Sequence, residues 1–559
     1  MAHLDQLSVL VIEANQGMRA QLRAMLESFQ ISGVQFSPTA GSAIRRLREQ
    51  RFDLIMCEFE LGNGQDGQHL LEDLRSQAII PPETLFIMIT GERNYERVIG
   101  AAELSPDDYI LKPLTAGTLQ MRLERALNKR ELFLPFYRAI AAGDPQQALD
   151  YCIGAESEYP RLRIDFMRKR AELLASMGQA DRAETVFREI LAIKSIPWAR
   201  LGFGRMLFAR KAFDEAAKLF EGLVAESGYY LDAYDWLART HKQIGLADRA
   251  CSVLANAVEL SPHRLSRLRQ YAGASMDRGD FATAEHTMVE VVRKGKYSDF
   301  RDPQDHVQLV RAQLAQRRIA DAEKTIRDLE QSMPGIASSA VCSTFAKALV
   351  HQHSGNAEGA RAEIRKALDI AKRTQLATEL KHQLLDACLE IRLDAEGSQL
   401  ATEILRHAAD EATIENTREV MKKRGRNDLA DAVEAQLHTE VKTYVANGAA
   451  LAQAGNFDAA VTEMMSAVRK MPGNQHVLFN AALALLRHIE HKGWNERFAN
   501  QARTLINRAR RLDPANARLE ALMNLNQALA RKYGIQPTRP APPRAATTPE
   551  SVARLAWMR

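Results

Sequence analysis

The sequence has few cysteines, few aromatic residues and no long apolar run. Its five cysteines lie far apart, with no CxxC pair and no histidine at ligand spacing, which argues against a disulfide framework and against a zinc site. No apolar stretch approaches the roughly 18 residues that a membrane helix needs. The N-terminal MAHLDQLSVLVIEAN also lacks the basic and apolar segments of a secretion signal. We therefore expect a cytoplasmic protein with no membrane insertion.

A strong charge of one sign is also missing. The 75 Lys and Arg residues nearly balance the 70 Asp and Glu residues, and the segment from Pro537 to Arg559 alone holds four Arg against one Glu. The remainder is close to neutral, which disfavours a nucleic-acid-binding surface. A chain of 559 residues is too long for one hydrophobic core, so two or more packed units are expected.

Short apolar runs dominate the N-terminal part of the chain, up to about position 130. SVLVI (8–12), FDLIMC (52–57) and LFIMIT (85–90) have strand length, and DDYILKP (107–113) is a weaker fourth. Amphipathic stretches such as MRAQLRAMLESF lie between them. Alternating strands and helices predict a doubly wound parallel sheet with any functional site at the carboxyl ends of the strands.

The order of these motifs resembles a response-regulator receiver domain over residues 1–130. The resemblance rests on VLVIEANQGMRAQLRAML, FDLIMCEFELGNGQDG, IMITGE and DDYILKPLTAGTL. It implies a five-stranded CheY-like (flavodoxin-like) sheet and a pocket to which Thr90 and Lys112 belong. Arg19 also matches a familiar position, and Asp66-Gly67 matches the usual turn after the phosphorylated strand.

Two positions depart from that family. Glu13 occupies the first acidic position, but Ala14 replaces the second, and Glu58 stands where the phosphoacceptor Asp is expected. Losing a carboxylate weakens Mg²⁺ binding, and the extra methylene of Glu58 displaces the nucleophilic oxygen. We expect no phosphorylation by the ordinary route and no required cofactor, with Mg²⁺ binding weakened by Ala14.

Three interpretations of Glu58 stay open. Its carboxylate could imitate the phosphorylated state and pair with Lys112. It could instead be a solvated remnant in a receiver that serves only as a docking module. Conventional phosphorylation of Glu58 or of another acid is the third interpretation.

From about position 131 onward the sequence repeats itself. The clearest copy contains Gly245, Ala250, Leu254 and Pro262. The equivalent alanines fall at 148, 183, 216, 250, 284, 322 and 360, so successive copies are nearly evenly spaced. This spacing is that of tetratricopeptide repeats, in which Gly ends one helix and a small Ala lets the next helix approach closely. The sequence predicts an array of about nine or ten repeats over residues 131–536, divergent at 365–440.

The resemblance to tetratricopeptide proteins implies that the first helix of each pair lines a concave groove for peptides. The groove positions of the clear copies contain five acidic and five basic side chains, which gives no charge argument for a ligand. Aromatic residues dominate binding hot spots, so Trp198 and Phe208 are candidate anchors, or they pack between repeats. The candidate groove residues are Trp198, Phe208, Arg205, Arg239, Lys242 and Arg269.

Residues 537–559 are rich in Pro, Ala, Arg and Thr, and we predict a disordered tail. Its end, SVARLAWMR, could present Leu555 and Trp557 to a partner, or the whole tail could be solvated.

The sequence contains no catalytic triad, Gly-rich phosphate loop, HExxH or enzymatic output motif, and therefore predicts no enzyme. The leading hypothesis is a bacterial two-component signalling adaptor. Its receiver would engage a protein such as a sensor histidine kinase or another response regulator, and its repeats would bind proteins or peptides. One alternative is a phosphorylation-controlled response regulator whose output is the repeat groove. A nucleic-acid-binding helical repeat protein is disfavoured.

Overall fold

The computed structural model describes residues 7–61, 67–91, 106–142, 144–262, 264–296, 301–408, 411–512 and 517–534. The chain forms two compact units, which divide between Asp302 and Pro303. The first unit contains the sheet and the early helical repeats, and the second contains the later helices. The tail with Leu555 and Trp557, and Asp66 of the predicted turn, lie outside the described residues.

The sheet has five parallel strands in the order β2-β1-β3-β4-β5. They are β1 (Ser8–Ile12), β2 (Gly33–Ser37), β3 (Leu54–Glu58), β4 (Leu85–Thr90) and β5 (Asp108–Leu111). In the described residues, three helices lie between successive strands: α1 (Gln16–Ser28), α2 (Ala40–Glu49) and α3 (Gly67–Ser76). The runs that the sequence identified as strands form β1, β3, β4 and β5, and this confirms the predicted doubly wound fold.

Buried apolar side chains explain the central strands. Every residue of β3 and β4 is buried, as expected where a parallel sheet is covered on both faces. The helix starts follow local polar signals: the Asn15 side chain accepts from the Met18 backbone N–H at 3.0 Å, and Thr39 and Ser42 form a capping box on α2.

A single long helix, α4 (Ala116–Ala141), joins the sheet to the repeats. Its first half buries Leu119 and Leu123 in the core under the sheet, whereas Phe133 and Phe136 belong to the core of the first repeats. The predicted boundary at residue 130 therefore lies inside a continuous helix, between two cores, and not in a linker. Independent folding of the two pieces stays a prediction.

The first unit continues as antiparallel helical pairs, each packed on the next. Their helices are α5 (Pro145–Glu158), α6 (Arg163–Ser176), α7 (Ala180–Ile193), α8 (Pro197–Ala209), α9 (Phe213–Glu226), α10 (Leu231–Gln243), α11 (Ala247–Leu260), α12 (Leu265–Asp277) and α13 (Phe281–Gly295). A 3₁₀ turn, Pro160–Leu162, precedes α6. The pairing has the tetratricopeptide form that the sequence predicted.

The second unit contains further helical pairs. Its helices are α14 (Gln304–Ala315), α15 (Ile319–Ser332), α16 (Ser339–His353), α17 (Ala357–Ala371), α18 (Thr378–Glu390), α19 (Asp394–His407), α20 (Glu411–Lys423), α21 (Asn427–Gln453), α22 (Phe457–Lys470), α23 (Gln475–Lys492), α24 (Glu496–Leu512) and α25 (Ala517–Lys532). The divergent segment 365–440 holds pairs of the same kind. Because α21 packs on α19 and α20 as well as on α22 and α23, it serves two pairs, and the number of repeats depends on how it is counted.

The turns between paired helices follow the glycine pattern of the sequence. Gly245 has φ of 79°, in the left-handed region that glycine enters without cost. In the copies that contain Ala216 and Ala322 the same turn is made by Lys211 (φ 63°) and Arg317 (φ 60°), so the backbone conformation is kept although the residue is not glycine. Ala250 and its equivalents are buried at the contact between the two helices.

Candidate functional site

The first candidate site, the receiver pocket, is defined by Glu13, Glu58, Thr90 and Lys112. Glu13 directly follows β1, Glu58 and Thr90 end β3 and β4, and Lys112 follows β5. Parallel strands end at the same edge of a sheet, so these residues converge as the sequence predicted. Thr90 is buried, and its backbone carbonyl accepts a hydrogen bond from the Lys112 backbone N–H at 2.7 Å.

The Lys112 ammonium lies between the two carboxylates of this pocket. It donates to Glu13 Oε2 at 3.0 Å and also to Glu58 Oε2. The other oxygens are also engaged: Glu58 Oε1 accepts from the Phe59 backbone N–H at 2.7 Å, and Glu13 Oε1 accepts from the Asn15 N–H at 2.8 Å. The pocket is therefore a closed network of charge-assisted hydrogen bonds.

Burial sets the ionisation of this network. Only 9% of Glu58 is exposed, so the side chain is not solvated at the strand end as one interpretation expected. Burial raises the pKa of the Glu58 carboxyl, although the Lys112 ammonium opposes this change. Burial also acts against the Lys112 ammonium, but the two carboxylates raise its pKa overall. Whether the pair imitates a phosphorylated state stays a prediction.

The second acidic position of the family supplies no ligand here. Ala14 is exposed at the mouth of the pocket. Arg19, on α1, donates to the backbone carbonyls of Glu13 and Ala14, both at 2.8 Å, and so fixes the loop that follows β1. This arginine positions the pocket without entering the network around Lys112.

The second candidate site is the first-helix face, the surface formed by the second half of α4 and by α6, α8, α10 and α12. These are the first helices of the early pairs, and α8 contacts both α6 and α10 directly. Trp198 is half-buried against the core of the first repeats, and the Arg168 guanidinium carbon lies 4.8 Å from its ring centroid. Lys242 pairs with Asp277 at 2.8 Å, and Arg269 is half-buried on α12.

Trp236, which sequence reasoning did not select, is the centre of this face. The guanidinium carbons of Arg205 and Arg239 lie 5.1 Å and 5.0 Å from its ring centroid. Phe208 meets the same ring edge-to-face at 5.3 Å and also contacts Phe213. Phe208 thus packs between repeats, which was one of its two interpretations. Trp236 was missed because its position was not among the usual groove positions.

The five acidic side chains at the groove positions of the first-helix face all have basic partners. Asp165 pairs with Lys129 at 2.6 Å, Glu172 with Arg168 at 2.8 Å and Lys169 at 3.3 Å, Asp232 with Arg264 at 3.3 Å, Asp235 with Arg267 at 2.9 and 3.0 Å, and Asp277 with Lys242 at 2.8 Å. Four of these partners were not among the groove positions taken from the sequence. The equal count of acids and bases at those positions therefore understates the positive charge of the face.

A cavity of about 160 Å³ lies where the receiver meets the start of this face. Its walls come from the loops before β4 and β5, from α4 and from α6. The lining residues are Pro82, Glu83, Leu85, Pro106, Asp107, Ala126, Lys129, Arg130, Phe133, Tyr137, Asp165, Arg168 and Lys169. Arg130 connects α4 to the receiver, because it donates to Asp53 Oδ1 and to the Glu83 carbonyl, each at 2.8 Å.

The sequence comparisons agree with the geometry of the first site. Residues 9–124 match the response regulator receiver domain family. This part of the chain is therefore a receiver domain, and it is followed by an array of helical repeats. Receiver domains belong to two-component signalling, which is the setting that the sequence predicted.

Two bacterial relatives illustrate the extent of the match. The transcriptional regulatory protein ZraR of Escherichia coli is 28% identical over 127 residues, covering 23% of this chain and 27% of that protein. The chemotaxis protein CheY-3 of Vibrio cholerae is 25% identical over 123 residues, covering 22% of this chain and 93% of that protein. The chain thus spans about a quarter of the first relative and nearly all of the second.

Similar solved structures include one for each part. A tetratricopeptide repeat protein from Parabacteroides merdae covers 46% of this chain and 97% of its own, with 14% identity and a TM-score of 0.33. A CheY-like receiver domain protein from Methanospirillum hungatei covers 22% of this chain and 94% of its own, with 23% identity and a TM-score of 0.20. None of the described helices is both long and apolar enough to cross a membrane.

Proposed function

We propose that this chain is a cytoplasmic adaptor of a two-component pathway whose receiver domain works without phosphorylation and whose repeats bind a protein partner. The observation that carries the proposal is the Lys112 ammonium held between the carboxylates of Glu13 and Glu58. The matched receiver family is not an enzyme family, and in this proposal the chain acts by binding alone.

Phosphoryl transfer to a carboxylate needs a nucleophilic oxygen that can reach phosphorus. Both oxygens of Glu58 are engaged, one by Lys112 and one by the Phe59 backbone N–H. Attack would require breaking a buried, charge-assisted contact and moving a side chain one methylene longer than aspartate. These contacts argue against Glu58 as a phosphoacceptor.

The donor set also does not fit Mg²⁺, the cation that receiver domains use. Mg²⁺ takes oxygen ligands in near-octahedral geometry, with carboxylates as its protein ligands. Ala14 offers no side-chain oxygen, and both oxygens of Glu13 already accept hydrogen bonds. Across the part of the chain that the structure describes, no group of three His, Cys, Asp or Glu side chains could hold a metal ion. The Lys112 ammonium already serves as the counterion of the Glu13 and Glu58 carboxylates.

The test of this proposal is incubation of the full chain with acetyl phosphate and Mg²⁺, followed by intact-mass spectrometry. We expect no acyl phosphate on the unmodified chain. The double variant Ala14→Asp with Glu58→Asp restores the acidic pattern of the family and is expected to gain one. A phosphoryl group on the unmodified chain that is lost in Glu58→Gln would instead support a phosphorylation-controlled response regulator.

The repeat array supports the binding half of the proposal. Helical pairs of this type present a continuous row of first helices, and here that row carries aromatic and basic side chains from three successive repeats. A protein partner recovered with the full chain should bind equally before and after acetyl phosphate treatment. A difference of more than about tenfold in dissociation constant would contradict a phosphorylation-independent adaptor.

A further inference from the structure

The cavity where the receiver meets the repeats has an apolar floor. Leu85 of β4 and Phe133 and Tyr137 of α4 contribute to it. Leu85 and Phe133 are buried, and Tyr137 is half-buried. The cavity volume of about 160 Å³ is close to the roughly 150 Å³ of an engineered apolar cavity that binds benzene. The cavity therefore has room for one aromatic ring.

The receiver side of this cavity is acidic. Glu83 and Asp107 lie in the loops before β4 and β5 and line the cavity. Asp107 Oδ2 accepts a backbone N–H at 2.8 Å and lies 3.5 Å from Arg75. Arg130 donates to the Glu83 backbone carbonyl and to Asp53, and the Glu83 carboxylate makes no ion pair within the described residues. This wall therefore favours a positively charged group.

The opposite side of the cavity, which α6 forms, is basic. Only 17% of the Lys169 side chain is exposed, and its ammonium lies 5.8 Å from the Tyr137 ring centroid. Its hydrogen bond to Glu172 Oε2 is 3.3 Å long, and Arg168 donates to the other oxygen of the same carboxylate at 2.8 Å. An ammonium group has three N–H donors, so Lys169 keeps donors for a second anion. This wall therefore favours a carboxylate.

Charges of opposite sign thus face each other above the apolar floor. A simple anion would meet Glu83 and Asp107, whereas a simple cation would meet Lys169. The exposed ion pair of Lys129 with Asp165, at 2.6 Å, also lines the cavity and adds no net charge. A molecule with a ring at one end and both charges at the other is complementary to the floor and to both walls. A free aromatic amino acid has this arrangement.

We propose that this cavity is a binding site for a free aromatic amino acid such as L-phenylalanine. The ring packs against Phe133 and Tyr137. The ammonium group faces Glu83 and Asp107, and the carboxylate faces Lys169. This inference goes beyond the proposed adaptor function and does not depend on it. Because the ligand contacts the receiver loops as well as α4 and α6, its binding stabilises the folded junction between them.

The experiment is a set of ligand-observed NMR titrations with the full chain. L-phenylalanine is the probe, and three relatives each lack one of its groups: 2-phenylethylamine has no carboxylate, 3-phenylpropanoate has no ammonium and L-alanine has no ring. We expect L-phenylalanine to bind with a dissociation constant of about 1 mM or lower, which is within reach of a ligand of this size. Each relative should bind at least about tenfold more weakly, because one contact is lost.

Two variants separate the two charged walls. Glu83→Gln should weaken L-phenylalanine about tenfold and leave 3-phenylpropanoate no weaker than before, because only the ammonium loses its partner. Lys169→Gln should weaken L-phenylalanine by a similar factor and leave 2-phenylethylamine no weaker. Arg163→Gln is the matched control, since it removes one positive charge from the exposed start of α6, outside the cavity. It should leave the binding of all four molecules unchanged.

Three results would overturn the inference. The first is no binding of L-phenylalanine at about 10 mM. The second is binding of 2-phenylethylamine or 3-phenylpropanoate as tight as that of L-phenylalanine, which would show that the two walls do not recognise opposite charges. The third is an equal effect of Arg163→Gln and of the two wall variants. Circular dichroism establishes that each variant folds, and the comparison of the four molecules needs only the unmodified chain, so a variant that does not fold leaves the test decisive.

Discussion

The receiver pocket and the first-helix face arrange their charged side chains differently. In the pocket one ammonium lies between two carboxylates, and the remaining carboxylate oxygens accept backbone hydrogen bonds. On the first-helix face the guanidinium groups of Arg205 and Arg239 both lie about 5 Å from the Trp236 ring, and ion pairs such as Arg264 with Asp232 join successive repeats. The charges of the pocket therefore close on one another within one domain, whereas the charges of the face connect side chains of successive repeats.

The largest expected effect comes from opening the pocket with Lys112→Ala. This variant leaves the buried carboxylates of Glu13 and Glu58 facing each other without a cation. Removing one partner of a buried ion pair costs about 3 kcal/mol or more, so the free energy of unfolding of the receiver should fall by that order. Urea unfolding read by hydrogen exchange of receiver peptides measures it, and a loss below about 1 kcal/mol, the value of a surface pair, would contradict a closed network.

The same variant has a defined pH dependence. A raised pKa means that folded Glu58 holds its proton more tightly than unfolded Glu58, so its contribution to stability falls as the pH rises above the ordinary value of 4.5. Without Lys112 this pKa rises further. The loss of unfolding free energy in Lys112→Ala should therefore become smaller on acidification and be largest at neutral pH. At that pH the Lys112 ammonium of the unmodified chain is fully charged, because its pKa is raised above 10.5. Adding Glu58→Gln should recover part of the loss at neutral pH, and no recovery would argue against carboxylate repulsion.

An intermediate effect is expected from Phe208→Ala on the repeat side. Phe208 is half-buried and contacts the rings of Phe213 and Trp236. Truncating a fully buried Phe to Ala lowers the free energy of unfolding by about 3–5 kcal/mol, and we expect roughly half of that loss here. We also expect the Trp236 ring to move. Thermal unfolding and Trp fluorescence measure the two effects. If stability is unchanged and only partner binding falls, Phe208 is a binding anchor and not a packing residue.

The smallest effect on stability is expected at an exposed ion pair near the junction of the receiver and the repeats. Lys129 on α4 pairs with Asp165 on α6, and both side chains are more than one third exposed. Lys129→Gln should change the free energy of unfolding by less than about 1 kcal/mol, and less still in high salt. The charge-neutral double variant with Asp165→Asn serves as the control. A loss as large as that of Lys112→Ala would mean that this contact, and not α4, holds the receiver against the repeats.

The sequence predicted those features that follow from periodicity. Buried apolar runs located four strands, but β2 was missed because its five residues, GVQFS, lie at the sheet edge and are mostly half-buried or exposed, which leaves no apolar run. The alanine and glycine spacing located the repeats of the first unit. The sequence did not predict that a helix crosses the boundary at residue 130, because the amino-acid composition changes there. The backbone stays helical across this point, and α4 contributes apolar residues to two different cores.

The candidate sites were predictable to different degrees. The receiver pocket could be assembled from the sequence, because strand order brings Glu13, Glu58 and Lys112 to one edge. The charge of the first-helix face could not, since it depends on which base reaches which acid across repeats. Arg264 and Arg267 pair with Asp232 and Asp235 about 32 positions away, and no local pattern marks such contacts.

The most direct test of the closed pocket is hydrogen–deuterium exchange of the full chain with and without Mg²⁺ and beryllofluoride, a stable analogue of the phosphoryl group. We predict no change in exchange for peptides that contain Glu58 or Lys112, and clear protection of the same peptides in the Ala14→Asp, Glu58→Asp variant. Protection of these peptides in the unmodified chain would contradict the account, because it would show that the pocket opens to a cation and a phosphoryl group despite the contacts made by Lys112.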